Sequence, residues 1–199
     1  MKSEGEKIRR RFTLPLVLTL LLLLAAFVTI FYLVQKERLL LEIDGSFNNV
    51  GVAFEKVLKS DAYLLVGVTD FLKKNSGIQK ALISRNRESM LKESQPLFKD
   101  IRSKYPVVNL SFYGSDMTSI LHVAEPERYG EKGQCSTLAF AAKQAKNIYG
   151  LEFCDSGELV LSLSTPWVIN GEVSGYIEIE EKVEHIMPQL SMVHGLDIL

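Results

Sequence analysis

Between Glu158 and Glu180 the chain reads ELVLSLSTPWVINGEVSGYIEIE, with apolar and polar positions alternating at a period of two. Leu159, Leu161, Leu163 and Trp167 fall on one side and Val160, Ser162 and Ser164 on the other, as in a strand with one buried face. Asn170-Gly171 interrupts the run. Both residues tolerate the positive φ that a two-residue type I′ turn requires, so the stretch predicts a β-hairpin. Val173, Gly175, Ile177 and Ile179 then resume the apolar face, opposite Ser174, Tyr176, Glu178 and Glu180.

The pattern near the N-terminus is different. Phe12 to Val34 is an uncharged run of about 23 residues, enough for a helix to cross the roughly 30 Å hydrocarbon layer. A signal peptide is the competing reading, but its apolar core is about 7 to 15 residues and ends at small residues, whereas this run continues through Ala25-Ala26 into Phe27, Val28, Ile30 and Phe31. An uncleaved anchor is therefore expected. From Gln35 to about Lys74 the apolar residues Leu40, Ile43, Phe47, Val50, Phe54, Val57, Leu64, Val68 and Phe71 recur at alternating spacings of three and four, with Asp61 as a polar interruption. Two uses of this seam stand side by side: it packs on the domain's own sheet, or its membrane-proximal half is a parallel dimer stalk and only the distal half packs. Gly45, Gly51 and Gly67 weaken a rigid coiled coil throughout. Asp61 is either a register device or the point where the seam turns to solvent.

Asn75-Ser76-Gly77 predicts a turn, followed by a short helix at Ile78 to Ile83 and another at Arg87 to Lys104 that kinks or restarts at Pro96. Period two returns at Pro106. Val108, Leu110 and Phe112 alternate with Asn109, Ser111 and Tyr113, a turn follows at Gly114-Ser115-Asp116, and Ser119 to Ala124 forms the return strand. Gln134 to Asn147 predicts a helix, Ile148 to Phe153 a strand, and residues 184 to 195 a further helix. The order is helices, two strands, a helix, then three strands: an α+β arrangement.

With 199 residues and a formal net charge of −1, the chain allows one ordinary domain plus an appendage. Lys2, Lys7, Arg9, Arg10 and Arg11 outnumber Glu4 and Glu6 ahead of the apolar run, so the positive-inside rule leaves the N-terminus in the cytoplasm and exports the rest. The exported part is net acidic and offers no basic field for nucleic acid. Cys135 and Cys154 both lie in it, where oxidation is possible; a disulfide and two free thiols are both open, in a domain large enough to fold without a staple.

The stretches LSFYGSDMTSILHVAEPERYGEK and IYGLEFCDSGELVLSLSTPWVINGEVSGYIEIE resemble the double Cache domain 3-like group of PAS-like extracytoplasmic sensors in bacterial receptors. The matching positions are Phe112, Leu121, His122, Pro126, Tyr129 and Gly130, then Gly150, Leu151, Glu152, Pro166, Gly171, Gly175 and Glu178, within about residues 86 to 185. His122 stands where the group usually carries arginine, and Gln134, Cys135 and Ser136 stand where a second arginine is expected. The resemblance implies a transmembrane helix and long stalk helix followed by a five-stranded antiparallel sheet with flanking helices. The chain then divides into a cytoplasmic tail (1–11), a transmembrane helix (12–34), stalk and packing helices (35–105), the sensor sheet (106–185), and a C-terminal helix with the start of a further element (186–199).

It also implies a pocket on the sheet face away from the long helix. That face is polar, which is equally what an exposed antiparallel face shows; the aromatic residues Tyr113, Tyr129, Tyr149 and Tyr176 near it favour a pocket. The candidate ligand-binding residues are Tyr113, His122, Arg128 and Tyr129, with Glu152, Trp167, Tyr176 and Glu178. His122 either orients a ligand or titrates beside a carboxylate such as Glu152 or Glu178, or is an ordinary histidine with a backbone partner. Arg128 is either a planar carboxylate clamp or a surface partner of Glu125 and Glu127. Glu181 and His185, four apart on an expected helix, supply two metal ligands, too few for a site. With no zinc-spaced Cys/His cluster, nucleophile elbow or phosphate-binding glycine loop, neither catalytic residues nor metal nor cofactor is expected.

The expected function is a membrane-anchored, ligand-sensing module of a bacterial receptor of chemoreceptor, histidine kinase or diguanylate cyclase type, in the inner membrane with its C-terminal domain periplasmic or extracellular. A small-molecule ligand and a second copy, paired in parallel through the stalk, are its expected partners. Receptors of this kind usually carry a second span and a transmitter that this sequence lacks, so the resemblance leaves three readings open: a truncated receptor, a sensory fragment, or the first half of a double sensor whose second half would start near Leu196. The alternative is a single-pass adaptor or scaffold that holds a protein partner.

Overall fold

The structure, a computed structural model, describes residues 3–154, 157–186 and 188, without the side chains of 3–14 and 39–49. Two units make up the chain, Met1–Gly51 and Val52–Leu199. Helix α1 runs Ser3–Lys73. Within its first unit, Pro15–Arg38 is 24 residues of apolar helix, fully exposed and long enough to cross a bilayer by length and composition.

The second unit is built on one antiparallel sheet. Its strands are β1 (Val107–Gly114), β2 (Ser119–His122), β3 (Ile148–Phe153), β4 (Leu159–Ile169) and β5 (Glu172–Lys182), in the spatial order β2-β1-β5-β4-β3. The β4–β5 turn has Asn170 at φ 53° and Gly171 at φ 86°, the positive pair that a type I′ turn needs. Helices α2 (Ser76–Ile83) and α3 (Arg87–Lys104) follow α1, and α4 (Ser136–Gln144) lies between β2 and β3. Asn75 caps α2 by accepting from Gly77 and Ile78 N–H at 2.8 and 3.1 Å, and Asn86 caps α3 by accepting from Ser89 N–H at 2.9 Å. Pro96 is accommodated inside α3 without starting a new helix.

One face of the sheet carries the main core. Leu110, Phe112, Leu161, Leu163, Trp167, Ile177 and Ile179 meet Ala62, Leu65 and Leu72 of α1, Ile78 and Leu82 of α2, and Met90 and Phe98 of α3. The parity expected for Leu161, Leu163 and Trp167 of β4 and for Ile177 and Ile179 of β5 holds, but Val173, expected on the same face, packs on the other beside Tyr113 and Tyr176, because the register shifts between Trp167 and Val168. In β1 it slips: a bulge between Val107 and Asn109 turns Val107 into the core and leaves Val108 lining a cleft on the other face.

The buried face of α1 differs from the expected seam. Leu64 and Phe71 are 39% and 59% exposed, whereas Ala62, Leu65 and Leu72 are no more than 1% exposed. Two lines at heptad spacing run side by side here, offset by one residue: 57-61-64-68-71 and 58-62-65-69-72. The sequence favours the first because its residues are larger. Packing selects the second because Ala62 and Thr69 are small enough to let the helix lie close to its neighbours, and the Thr69 hydroxyl donates to Val66 C=O at 2.9 Å, so its burial strands no donor. Leu40, Ile43 and Phe47 lie outside the described side chains, and the element expected over 186–199 lies outside the described residues apart from Ile186 and Pro188.

Cys135 and Cys154 form a disulfide, Cα to Cα 5.6 Å, that ties the start of α4 to the end of β3. For a sequence separation of 19 residues, the chain-entropy argument assigns it about 3 kcal/mol. The other ends are cut short by local chemistry. Ala145 at φ 51° stops α4 before the expected Asn147, and a turn from Glu125 N–H to His122 C=O at 3.2 Å ends β2 before Ala124.

The offset between the two lines is testable on the monomeric, detergent-solubilised chain. Leu72→Ala is expected to cost about 2–5 kcal/mol in urea unfolding, and Phe71→Ala to stay within about 0.5 kcal/mol. Equal losses would show that α1 packs through the other line.

Candidate functional site

On the face opposite the main core, the strand register lines up a polar row. Ser111 stands across from His122 in β2 and from Glu178 in β5, and Glu178 stands across from Ser164 in β4. Directly opposed residues share a face, so His122, Ser111, Glu178 and Ser164 cross four strands side by side. All four are buried.

Hydrogen bonds connect the row. Ser111 Oγ lies 2.7 Å from His122 Nδ1, Tyr113 Oη donates to Glu178 Oε2 at 2.8 Å, and Ser164 Oγ donates to Glu178 Oε1 at 3.1 Å. Thr137 of α4 closes over them, its Oγ1 3.0 Å from both Ser162 Oγ and Ser164 Oγ. Helix α4 is held in place by Glu152 of β3, which accepts from the N–H groups of Ser136 and Thr137 at 2.7 and 3.3 Å and from the Thr137 hydroxyl. That carboxylate does the work of an N-cap, which Cys135 leaves undone.

Burial, followed by the charge of Glu180, pushes the Glu178 carboxyl up to about 8 against the hydrogen bonds from Tyr113 and Ser164. At neutral pH Glu178 is therefore mostly a neutral acid. Burial also raises Tyr113, reinforced by Glu178, so its hydroxyl stays protonated.

At the β2 end the row reaches the surface through Glu131. Its Oε1 is 2.9 Å from His122 Nε2 and 2.7 Å from Arg128 Nε, and its Oε2 accepts from Ser119 Oγ at 2.9 Å. Partial burial pushes Glu131 up, but hydrogen bonds from its own N–H and Ser119, with His122 and Arg128 beside it, hold it below the usual range. A cleft of about 150 Å³ opens here, lined by Val108, Asn109, His122 and Ala124, by Glu125 and Arg128 of the loop, and by Glu158 and Glu180. Asn109 Oδ1 is buried without a hydrogen-bond partner among the described residues. The loop carrying Arg128 is anchored from α3: Arg87 lies 4.1 Å over the Tyr129 ring and donates to Pro126 C=O.

The candidate residues thus separate. His122 and Arg128 line the cleft. Tyr113 and Glu178 are in the buried row, with Tyr176 packed beside Tyr113, Cys135 and Leu138. Glu152 holds α4 rather than facing the cleft, and Tyr129 lies under Arg87 at 56% exposure. Trp167 sits in the main core on the opposite face. The carboxylate hydrogen-bonded to His122 Nε2 at 2.9 Å is that of Glu131, a residue outside the expected pair of Glu152 and Glu178. Sequence reasoning missed Glu131, which follows Gly130 in a loop without periodicity; Asn109 and Glu180 were legible as polar-face positions but carried no motif.

The raised Glu178 sets a pH dependence. Its folded value lies above the 4.5 of an ordinary glutamate, so between about 4.5 and 8 the unfolded chain has released a proton that the folded chain keeps, and stability falls as pH rises through that window. Glu178→Gln is expected to match the wild type near pH 5 and to melt higher at pH 9. Glu181, raised to about 7 by burial and by Asp61, leaves a residual slope in the variant. Parallel melting curves from pH 5 to 9 would contradict a neutral Glu178.

No protein-family model matches the sequence, and no curated protein does so. Solved structures do resemble it. The E. coli DcuS sensor domain superposes with a TM-score of 0.55 at 14% identity, over 67% of this chain and 97% of that one. The V. cholerae histidine kinase DctB sensor domain gives 0.59 at 13% identity, over 78% and 60%, and a domain of a putative sensory box/GGDEF family protein from Vibrio parahaemolyticus gives 0.53 at 14%, over 72% and 61%. At these identities the likeness is one of fold, and the chain has the Cache/PAS-like α+β fold of receptor sensor domains.

Proposed function

We propose that this chain is the ligand-sensing module of a bacterial signal-transduction receptor, anchored by Pro15–Arg38 with its N-terminus cytoplasmic and its sheet domain periplasmic or extracellular. The observation that carries this reading is the buried polar row, which runs from a solvent-facing cleft at His122 into the centre of the sheet. An ordinary exposed sheet face needs no such row, since water satisfies its polar groups.

The cleft suits a small polar molecule. It presents Arg128 and His122 beside Glu125, Glu158 and Glu180, and the amide oxygen of Asn109 accepts a donor. A ligand that changes the contacts of His122 or Arg128 alters the shared bond to Glu131 and, through Ser111, the pairing of β1 with β2. The opposite face of those strands belongs to the core that includes Leu65 and Leu72 of α1, so a change there biases the helix, provided that its two states bind the ligand unequally.

The α1 line left uncovered, with Leu64 and Phe71 exposed, supports a parallel homodimer through this helix. Oxidising membranes that carry Phe71→Cys should yield a covalent dimer on non-reducing gels, and monomer alone would remove that part of the reading.

For the cleft itself, a thermal-shift screen of the full chain against small carboxylates, amines and aromatic metabolites is the test. A ligand at about 100 times its Kd adds about 2.7 kcal/mol, or several degrees. The shift is expected in the wild type and lost in Asn109→Ala and Arg128→Ala. A folded chain that no compound shifts would favour the adaptor alternative.

A further inference from the structure

From the meeting of α1 with the end of β5 we infer a zinc site, made by Asp61, Glu181 and His185. Glu181 and His185 do not share a helix as their spacing suggested: Glu181 is the penultimate residue of β5, and His185 lies in the turn after it. That turn swings the imidazole back over Glu181, and α1 supplies the third group, 124 residues away from His185 in sequence.

The ligand atoms are spaced for a metal. His185 Nε2 is 3.3 Å from Asp61 Oδ2 and 3.4 Å from Glu181 Oε1, and the three atoms lie within 4.8 Å of one another. A tetrahedral ion with bonds of about 2.0–2.1 Å separates its ligands by about 3.3–3.4 Å. A direct charge-assisted hydrogen bond would instead bring nitrogen and oxygen to about 2.7–2.9 Å.

The imidazole is also prepared from outside the cluster. His185 Nδ1 is 2.8 Å from Lys182 C=O, so that nitrogen carries a hydrogen, and Nε2 is turned towards the carboxyl groups of Asp61 and Glu181. A backbone carbonyl behind the non-ligating nitrogen is the usual support of a metal-bound histidine. Glu181, with its side chain 5% exposed, has no ion-pair partner among the described residues except His185. The nearby Lys182 is turned to Glu158 at 2.9 Å. Two carboxyl groups and one imidazole therefore face one point, and the Glu181 side chain among them is buried.

The donor set selects the ion. An imidazole with two carboxylates suits zinc, whereas calcium and magnesium prefer oxygen alone. Three protein ligands leave a fourth position, and Asp61 and His185 are 22% and 27% exposed, so water reaches it. The bound ion joins helix α1 to the last strand of the sheet.

The test is zinc titration of the full chain in detergent, stripped with chelator and with Cys135–Cys154 kept oxidised, against a chromophoric competitor. One equivalent is expected to bind, to raise the melting temperature, and to show one imidazole with oxygen ligands at about 2.0–2.1 Å in X-ray absorption. Asp61→Asn, Glu181→Gln and His185→Ala should each weaken binding by at least about tenfold, while His122→Ala keeps it. The asparagine and glutamine variants preserve shape, so their loss is separable from misfolding. Absence of stoichiometric zinc in the folded wild type, or equal binding by all four variants, overturns the site; the former would leave His185 as a hydrogen-bonded link between the two acids.

Discussion

The registration of β5 between β1 and β4 is the constraint from which the rest follows. Side chains alternate between faces along a strand, so a slip of one residue would send Ile177 and Ile179 to the polar face and Glu178 into the main core. Two features prevent it. The Asn170-Gly171 turn fixes β4 against β5 through two consecutive positive φ angles, and Gly175 lets β1 close on β5, since a Cβ there would overlap the carbonyl oxygen of Tyr113. With both pairs fixed, the polar row and the apolar core lie on opposite faces of the same strands.

A buried row of this kind is costly unless its members are paired. Helix α4 meets much of that need: Thr137 bonds to Ser162 and Ser164, Glu152 holds the start of the helix, and the disulfide ties the same corner to β3. Glu178 meets the rest by staying neutral and sharing hydrogen bonds with Tyr113 and Ser164. Thr137 closes the middle of this face, and the cleft opens at its His122 end.

Helix α1 connects these features to the remainder of the domain. Its small-residue line packs into the core, and its large-residue line stays partly outside. Asp61 belongs to the line 57-61-64-68-71, which stays partly outside, and turns towards His185 and Glu181 rather than to solvent. The polar interruption in the seam is thus explained by a tertiary contact more than a hundred residues away, not by the helix itself.

The α+β order, the hairpin, the strand parity of β4 and of β5 beyond Val173, and the apolar N-terminal run were legible because each rests on local periodicity or turn chemistry. His122 and Arg128 were legible as candidates through the loop and strand pattern around them. Tertiary structure alone decided which of the two α1 lines is buried, because size favoured one and close approach the other. It alone separated Trp167 and Glu152 from the cleft, paired His122 with Glu131, joined Cys135 to Cys154, and gathered Asp61, Glu181 and His185. Those are contacts between distant segments, and a sequence states which groups a segment carries but not which distant segment the register sets opposite it.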